Sequence, residues 1–126
     1  MNVPTFRKLA ESELTPEQLK VYSAVAGGPR GGVRGPFNAL LRSPELCDRV
    51  QKVGEYLRYN SSIPARLNEF AILIAARYWN AQYEWYAHHI HPMKGGLKPE
   101  VAADLAEGKR PADMQEDEAL VYDFCT

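Results

Sequence analysis

Glu84, His88 and His91 stand at helical spacing. At ~100° per residue they fall within about 60° of one another on one face. Glu84 and His88, at i and i+4, are close enough to hydrogen-bond. The three histidines of the chain all lie in the segment from Glu69 to His91. Five aromatics (Tyr78, Trp79, Tyr83, Trp85, Tyr86) crowd the same stretch. A carboxylate beside an imidazole fixes the ring's tautomer, and aromatic neighbours lower the local dielectric. Together they make what a general acid/base site needs. Glu69 is the second carboxylate of interest, one of the few polar side chains on an otherwise apolar helix. A carboxylate in such a place is either paired or functional.

Plainer readings of the same residues stay open. Glu84 and His88 could be a surface pair worth ~0.2–0.5 kcal/mol. Glu69 could form a salt bridge with Arg66 or Arg77, and the aromatics could be core or an oligomer interface. A metal site is a further option, because Glu84, His88 and His91 offer three ligands and Glu69 a fourth. Against it, the H-E-x-x-H signature is absent and Pro92 directly follows His91, so no metal is expected.

The elements that must position these residues are helices. Thr15-Pro16-Glu17-Gln18 joins an N-cap, a first-turn Pro and an N3 Gln in a capping box. Leu19, Tyr22, Val25 and Ala26 continue that helix until Gly27-Gly28 stop it. Residues 27–36, GGPRGGVRGP, hold five Gly and two Pro and form a loop. It is neither a Walker A nor a dinucleotide fingerprint. Arg30 and Arg34 on it could hold an anionic substrate, and a solvated loop is the simpler reading. Ser43-Pro44 repeats the cap-then-Pro signal, and Leu46, Val50, Val53 and Leu57 follow as an amphipathic stripe ending near Asn60.

Ser62 and Pro64 open a helix from Ala65 to about Trp79 whose apolar residues run almost all round, as in the middle of a bundle. A break at Asn80-Ala81 precedes a helix from Gln82 to about His91, closed by Pro92 and Gly95-Gly96. Pro99 to Glu107 is a short helix with Gly108 as its C′ residue, and a last helix starts around Asp113. No strand, repeat or low-complexity segment stands out, so the fold class is all-α. Ala119, Leu120, Val121 and Phe124 form an apolar stripe that stops with no cap. It reads either as a docked terminal helix or as a chain that continues beyond Thr126.

Composition fits one globular domain over residues 1–126. The chain is 45% hydrophobic and 25% charged, with a net charge of −1. Disordered and fibrous classes are excluded, and no nucleic-acid or membrane partner is expected. The longest apolar run, Phe70 to Ala76, is far short of the ~20 residues that span a bilayer. Met1-Asn2-Val3-Pro4 shows no basic-then-apolar signal pattern, which makes the cytoplasm the expected address. Cys47 and Cys125 form neither a CxxC pair nor a disulfide framework.

Three blocks of the chain together resemble the carboxymuconolactone decarboxylase family, which includes the alkylhydroperoxidase D-type proteins. They are RGPFNALLRSPEL (Arg34 to Leu46), RLNEFAILIAARYW (Arg66 to Trp79) and YEWYAHH (Tyr83 to His89). The resemblance covers roughly residues 34–110. It implies an all-helical bundle, homo-oligomers such as trimers or hexamers, and further helices after Thr126. In the alkylhydroperoxidase branch a glutamate on the central helix precedes a CxxC and then a histidine. Glu69 matches that glutamate and His88 that histidine, but Ala81 and Glu84 occupy the cysteine positions. Thiol chemistry needs a thiolate and a resolving thiol, so a peroxidase is disfavoured.

The resemblance then implies the cysteine-free, decarboxylase-like branch. It would carry out cofactor-free acid/base chemistry on a small carboxylic acid or lactone. Glu69, His88 and Glu84 are its expected catalytic residues. Tyr83, Trp85, His89, Arg66 and Arg77 are expected to bind substrate. The rival readings are a peroxidase using Cys47 or Cys125, a non-catalytic oligomeric helical protein, and a metal-dependent enzyme.

Overall fold

Thr15 starts the first long helix as its residue types dictate: the Thr15 hydroxyl accepts from the Gln18 amide, and the Gln18 side chain answers to the Thr15 amide. The computed structural model describes residues 6–126, and the chain is all-helical, with no strand among the described residues. After a 3₁₀ turn at Glu11–Glu13 come α1 (Pro16–Gly27), α2 (Phe37–Leu40) and α3 (Pro44–Glu55), which passes into a π-helical turn at Tyr56–Asn60. Then follow α4 (Ala65–Tyr78), α5 (Gln82–His88), α6 (His91–Lys94), α7 (Pro99–Ala106) and α8 (Glu116–Cys125). No helix among the described residues is long and apolar enough to cross a membrane. The chain's contacts gather into two compact units divided between Asn60 and Ser61.

The first unit closes on Val21 and Val25 of α1, Phe37 of α2, Leu41 and Cys47. Its α3 departs from the sequence reading. The side chains that α3 buries are Cys47 and Gln51, while the stripe of Leu46, Val50, Val53 and Leu57 is exposed. Ser43 also makes no side-chain cap, so Pro44 alone marks that helix start.

In the second unit α4 is the hub, packing against α5, α6, α7 and α8. Phe70, Leu73 and Ile74 of α4 meet Leu97 and the Val101, Ala102 and Leu105 face of α7 in one buried cluster. The expectation of a helix buried all round is corrected: Ala71 and Ile72 are half-buried, and Ala75 and Tyr78 are exposed. Asn80, at φ 53, turns the chain out of α4, and the Ala81 amide donates to the Ala76 carbonyl at 2.8 Å. That is a Schellman end, which Asn tolerates better than most side chains. The helix from Gln82 stops at His88 rather than His91. Pro92 lies in the first turn of α6, where a missing N–H costs nothing, so it opens a helix instead of closing one. The last helix starts at Glu116, three residues later than expected, because Gln115 and Glu118 form its capping box.

Candidate functional site

α4 carries Glu69 on its second turn, and α5 carries His88 on its last. Packing of the two helices brings Glu69 Oε2 to 2.6 Å from His88 Nδ1. Glu69 is 6% and His88 9% exposed, so the contact is shielded from solvent. A carboxylate only accepts, so Nδ1 carries the proton and Nε2 is the nitrogen left for other chemistry. That nitrogen lies 3.5 Å from Glu84 Oε2, within ion-pair range but past a good hydrogen bond. The helical i,i+4 pair is therefore the looser contact, and the pair distant in sequence is the tight one.

His91, now in α6, has left the α5 face. Its ring still meets that of His88 edge-on, with centroids 5.9 Å apart. Among the described residues, no group of three or more His, Cys, Asp or Glu side chains is arranged to hold a metal ion.

The aromatic residues do not wall the pair as the sequence suggests. Tyr78, Trp79, Tyr83 and Tyr86 are all exposed; Trp85 is the one that packs against the buried cluster. Helical spacing clusters them in sequence but points them around the helix, and only one points inward. His89 is turned to its own backbone, its Nδ1 2.9 Å from the Tyr86 carbonyl.

The two arginines separate in role. Arg66 is held by Asp117 and Glu118 of α8, and the Asp117 hydrogen bond raises it above the ordinary arginine value. Its donors are thus engaged within the protein. Arg77 donates through Nε to the Ala106 carbonyl at 3.0 Å, and it lines a cavity of about 500 Å³ with Asn80, Gln82 and Trp85. Arg77 and Trp85 are among the residues expected from the sequence to bind substrate, whereas Asn80 and Gln82 stand out there only as a break and a helix start. The cavity lies at the α4–α5 junction, and Ala76 in its lining is seven residues from Glu69 along α4, roughly 10 Å at helical rise.

The two thiols lie in different units. Cys47 is buried in the first unit, where burial pushes its thiol up and Asp48 adds to the shift. Cys125 is in the second unit on an exposed residue, and partial desolvation of its sulfur raises it as well. No family model, curated protein or solved structure matches this chain.

Proposed function

We propose that the chain is a carboxymuconolactone decarboxylase-like protein that moves a proton on a small carboxylic acid or lactone at the Glu69–His88 pair. The observation that carries the reading is the buried 2.6 Å contact between Glu69 Oε2 and His88 Nδ1. It fixes the tautomer and leaves Nε2 as the acid or base. In a decarboxylation, the bond from carbon to carboxylate breaks, and its electron pair passes into the conjugated carbonyl as CO2 leaves. With a second proton taken from water onto Nε2, the ring, charged and held by Glu69, then protonates the carbon from Nε2 and returns to its neutral Nδ1–H form. Glu84, 3.5 Å from Nε2, stabilises the charged ring before that transfer. Arg77, in the neighbouring cavity with Trp85, is the substrate-anchoring cation in this reading. The partner is a small molecule, and the assembly is a homo-oligomer.

A thiol peroxidase gains no support. Both thiols have raised pKa values, which lowers the thiolate fraction that attack requires. Turnover of unsaturated lactone acids by the wild-type chain, His88→Ala and Glu69→Gln tests the proposal. The rate falls by about 10²–10⁴-fold in His88→Ala. Equal rates in all three proteins, with each still folded, would remove it. A loss of stability in the two variants, with a wild-type chain that turns over no such acid, would leave the pair a packing feature.

A further inference from the structure

A second concave site lies in the first unit and takes no part in the acid/base reading. It is a hollow of about 340 Å³ lined by Lys8, Leu9, Tyr22, Val33, Arg34 and Leu41, among others. The segment that carries Lys8 and Leu9 is fixed in place over it. Asn38 Nδ2 donates to the Phe6 carbonyl at 2.6 Å, and Arg42 Nη2 donates to the Arg7 carbonyl at 2.9 Å. Arg42 also stacks over the Phe6 ring at 4.7 Å. Arg7 then makes two 2.8 Å bonds to Glu13. The glycine loop adds Val33 and Arg34 to the lining. Arg34 folds back against Gly32, where an added Cβ would meet Nη2 at 2.9 Å.

The charges of the lining are one-sided. Three other cations of this unit are tied within the protein: Arg7 to Glu13, Arg49 to Glu45, and Lys52 to Asp48. Lys8 and Arg34 have no side-chain hydrogen bond or ion pair among the described residues. Glu11, whose hydrogen bond to the Tyr22 hydroxyl pushes that phenol's pKa up, is not part of the lining. The apolar side chains of Leu9, Val33 and Leu41 share the lining with the two cations. An inorganic anion has no use for those apolar side chains, and a neutral hydrocarbon has none for the cations. The volume is at the small end of the ~300–1,000 Å³ range of ligand pockets.

We propose that this hollow binds a small amphiphilic carboxylate, with its carboxylate between Lys8 and Arg34 and a single ring or short alkyl chain on Leu9, Val33 and Leu41. Arg34 supplies a planar fork for the carboxylate and Lys8 a point charge.

The test is titration of the isotope-labelled full chain with octanoate and benzoate, followed by amide NMR. Saturable shifts are expected at Gly32, Gly35 and Leu41, and added salt weakens them. Octanol and inorganic phosphate, each carrying half of the recognition, bind at least about tenfold more weakly than octanoate. Arg34→Gln and Lys8→Gln each weaken octanoate by about tenfold or more. Both side chains are exposed, so the amide spectrum outside the site stays in place. Gly32→Ala weakens binding too, with the charge unchanged, because its Cβ displaces the Arg34 fork. Absence of saturable shifts, binding of octanol as tight as that of octanoate, or binding that survives all three substitutions would each overturn the proposal.

Discussion

Arg66 and Glu118, 52 residues apart in sequence, form an ion pair in which the carboxylate side chain is 1% exposed. The other oxygen of Glu118 accepts from the Gln115 amide at 2.8 Å and completes the capping box of α8. One carboxylate thus starts α8 and ties it to the first turn of α4. Asp117 adds bonds of 2.6 and 3.2 Å to the same guanidinium.

Arg66→Met leaves the Glu118 carboxylate buried without its cation. Breaking one side of a buried pair costs about 3–5 kcal/mol, more than the pair is worth against an apolar replacement. The expected sequence of stabilities is wild type above Arg66→Met, with Arg66→Met/Glu118→Met recovering part of the loss. Urea unfolding combined with hydrogen exchange of the α8 amides measures this. A loss under about 1 kcal/mol in Arg66→Met would show that the pair is solvated.

Glu13 gives a pH dependence with a definite sign. The Arg7 side chain and the Ala10 amide hold its carboxyl at about 2, against an ordinary 4.5. The folded value is depressed, so the unfolded chain takes up its proton first on acidification. The contribution is complete above about 4.5 and is lost as the pH falls to about 2. Carboxyl-carbon NMR of Glu13 reads the midpoint directly. Arg7→Gln moves it up toward the ordinary value, and an unmoved midpoint would contradict the pairing.

Two glycines predict opposite outcomes from the same substitution. Gly108 has φ +75, and a Cβ there would meet Arg77 Nη2 at 2.8 Å. Gly108→Ala is both strained and crowded, at a cost of about 1–3 kcal/mol. Gly27, the last residue of α1, has nothing within 4 Å of an added Cβ. Gly27→Ala is neutral or stabilising by up to ~1 kcal/mol. Thermal unfolding of the two variants gives the comparison, and equal effects would argue against the cramped setting of Gly108.

The helices were legible because their starts and stops are local. Thr15-Pro16-Gln18, Pro44, Pro99 and Gly108 act within one turn, and each marks a boundary where the spacing puts it. His88 and Glu69 were legible as residue types, but no period in the sequence brings positions 69 and 88 together; helix packing does that. The Glu84–His88 spacing pointed to the looser of the two contacts. Arg66 illustrates the same limit: its partners Asp117 and Glu118 lie on α8, out of reach of any local pattern. Of the clustered aromatics only Trp85 packs inward, because density along the chain is not convergence in space.

α3 makes the sharpest case, since its most regular apolar stripe faces outward. Val53 is 61% exposed, whereas Cys47 on the same helix is fully buried. Periodicity identifies an apolar face, but it does not say which neighbour, if any, covers it. Val53→Gln is therefore expected to change stability by no more than about 0.5 kcal/mol, the usual range for an exposed position. Cys47→Asn places an amide in the cluster of Val21, Val25, Phe37 and Leu41 and costs about 1–3 kcal/mol. Hydrogen exchange of the α1 and α3 amides reports on this unit by itself. A loss of 1.5 kcal/mol or more in Val53→Gln, as for a buried valine, would mean that this face is covered in solution.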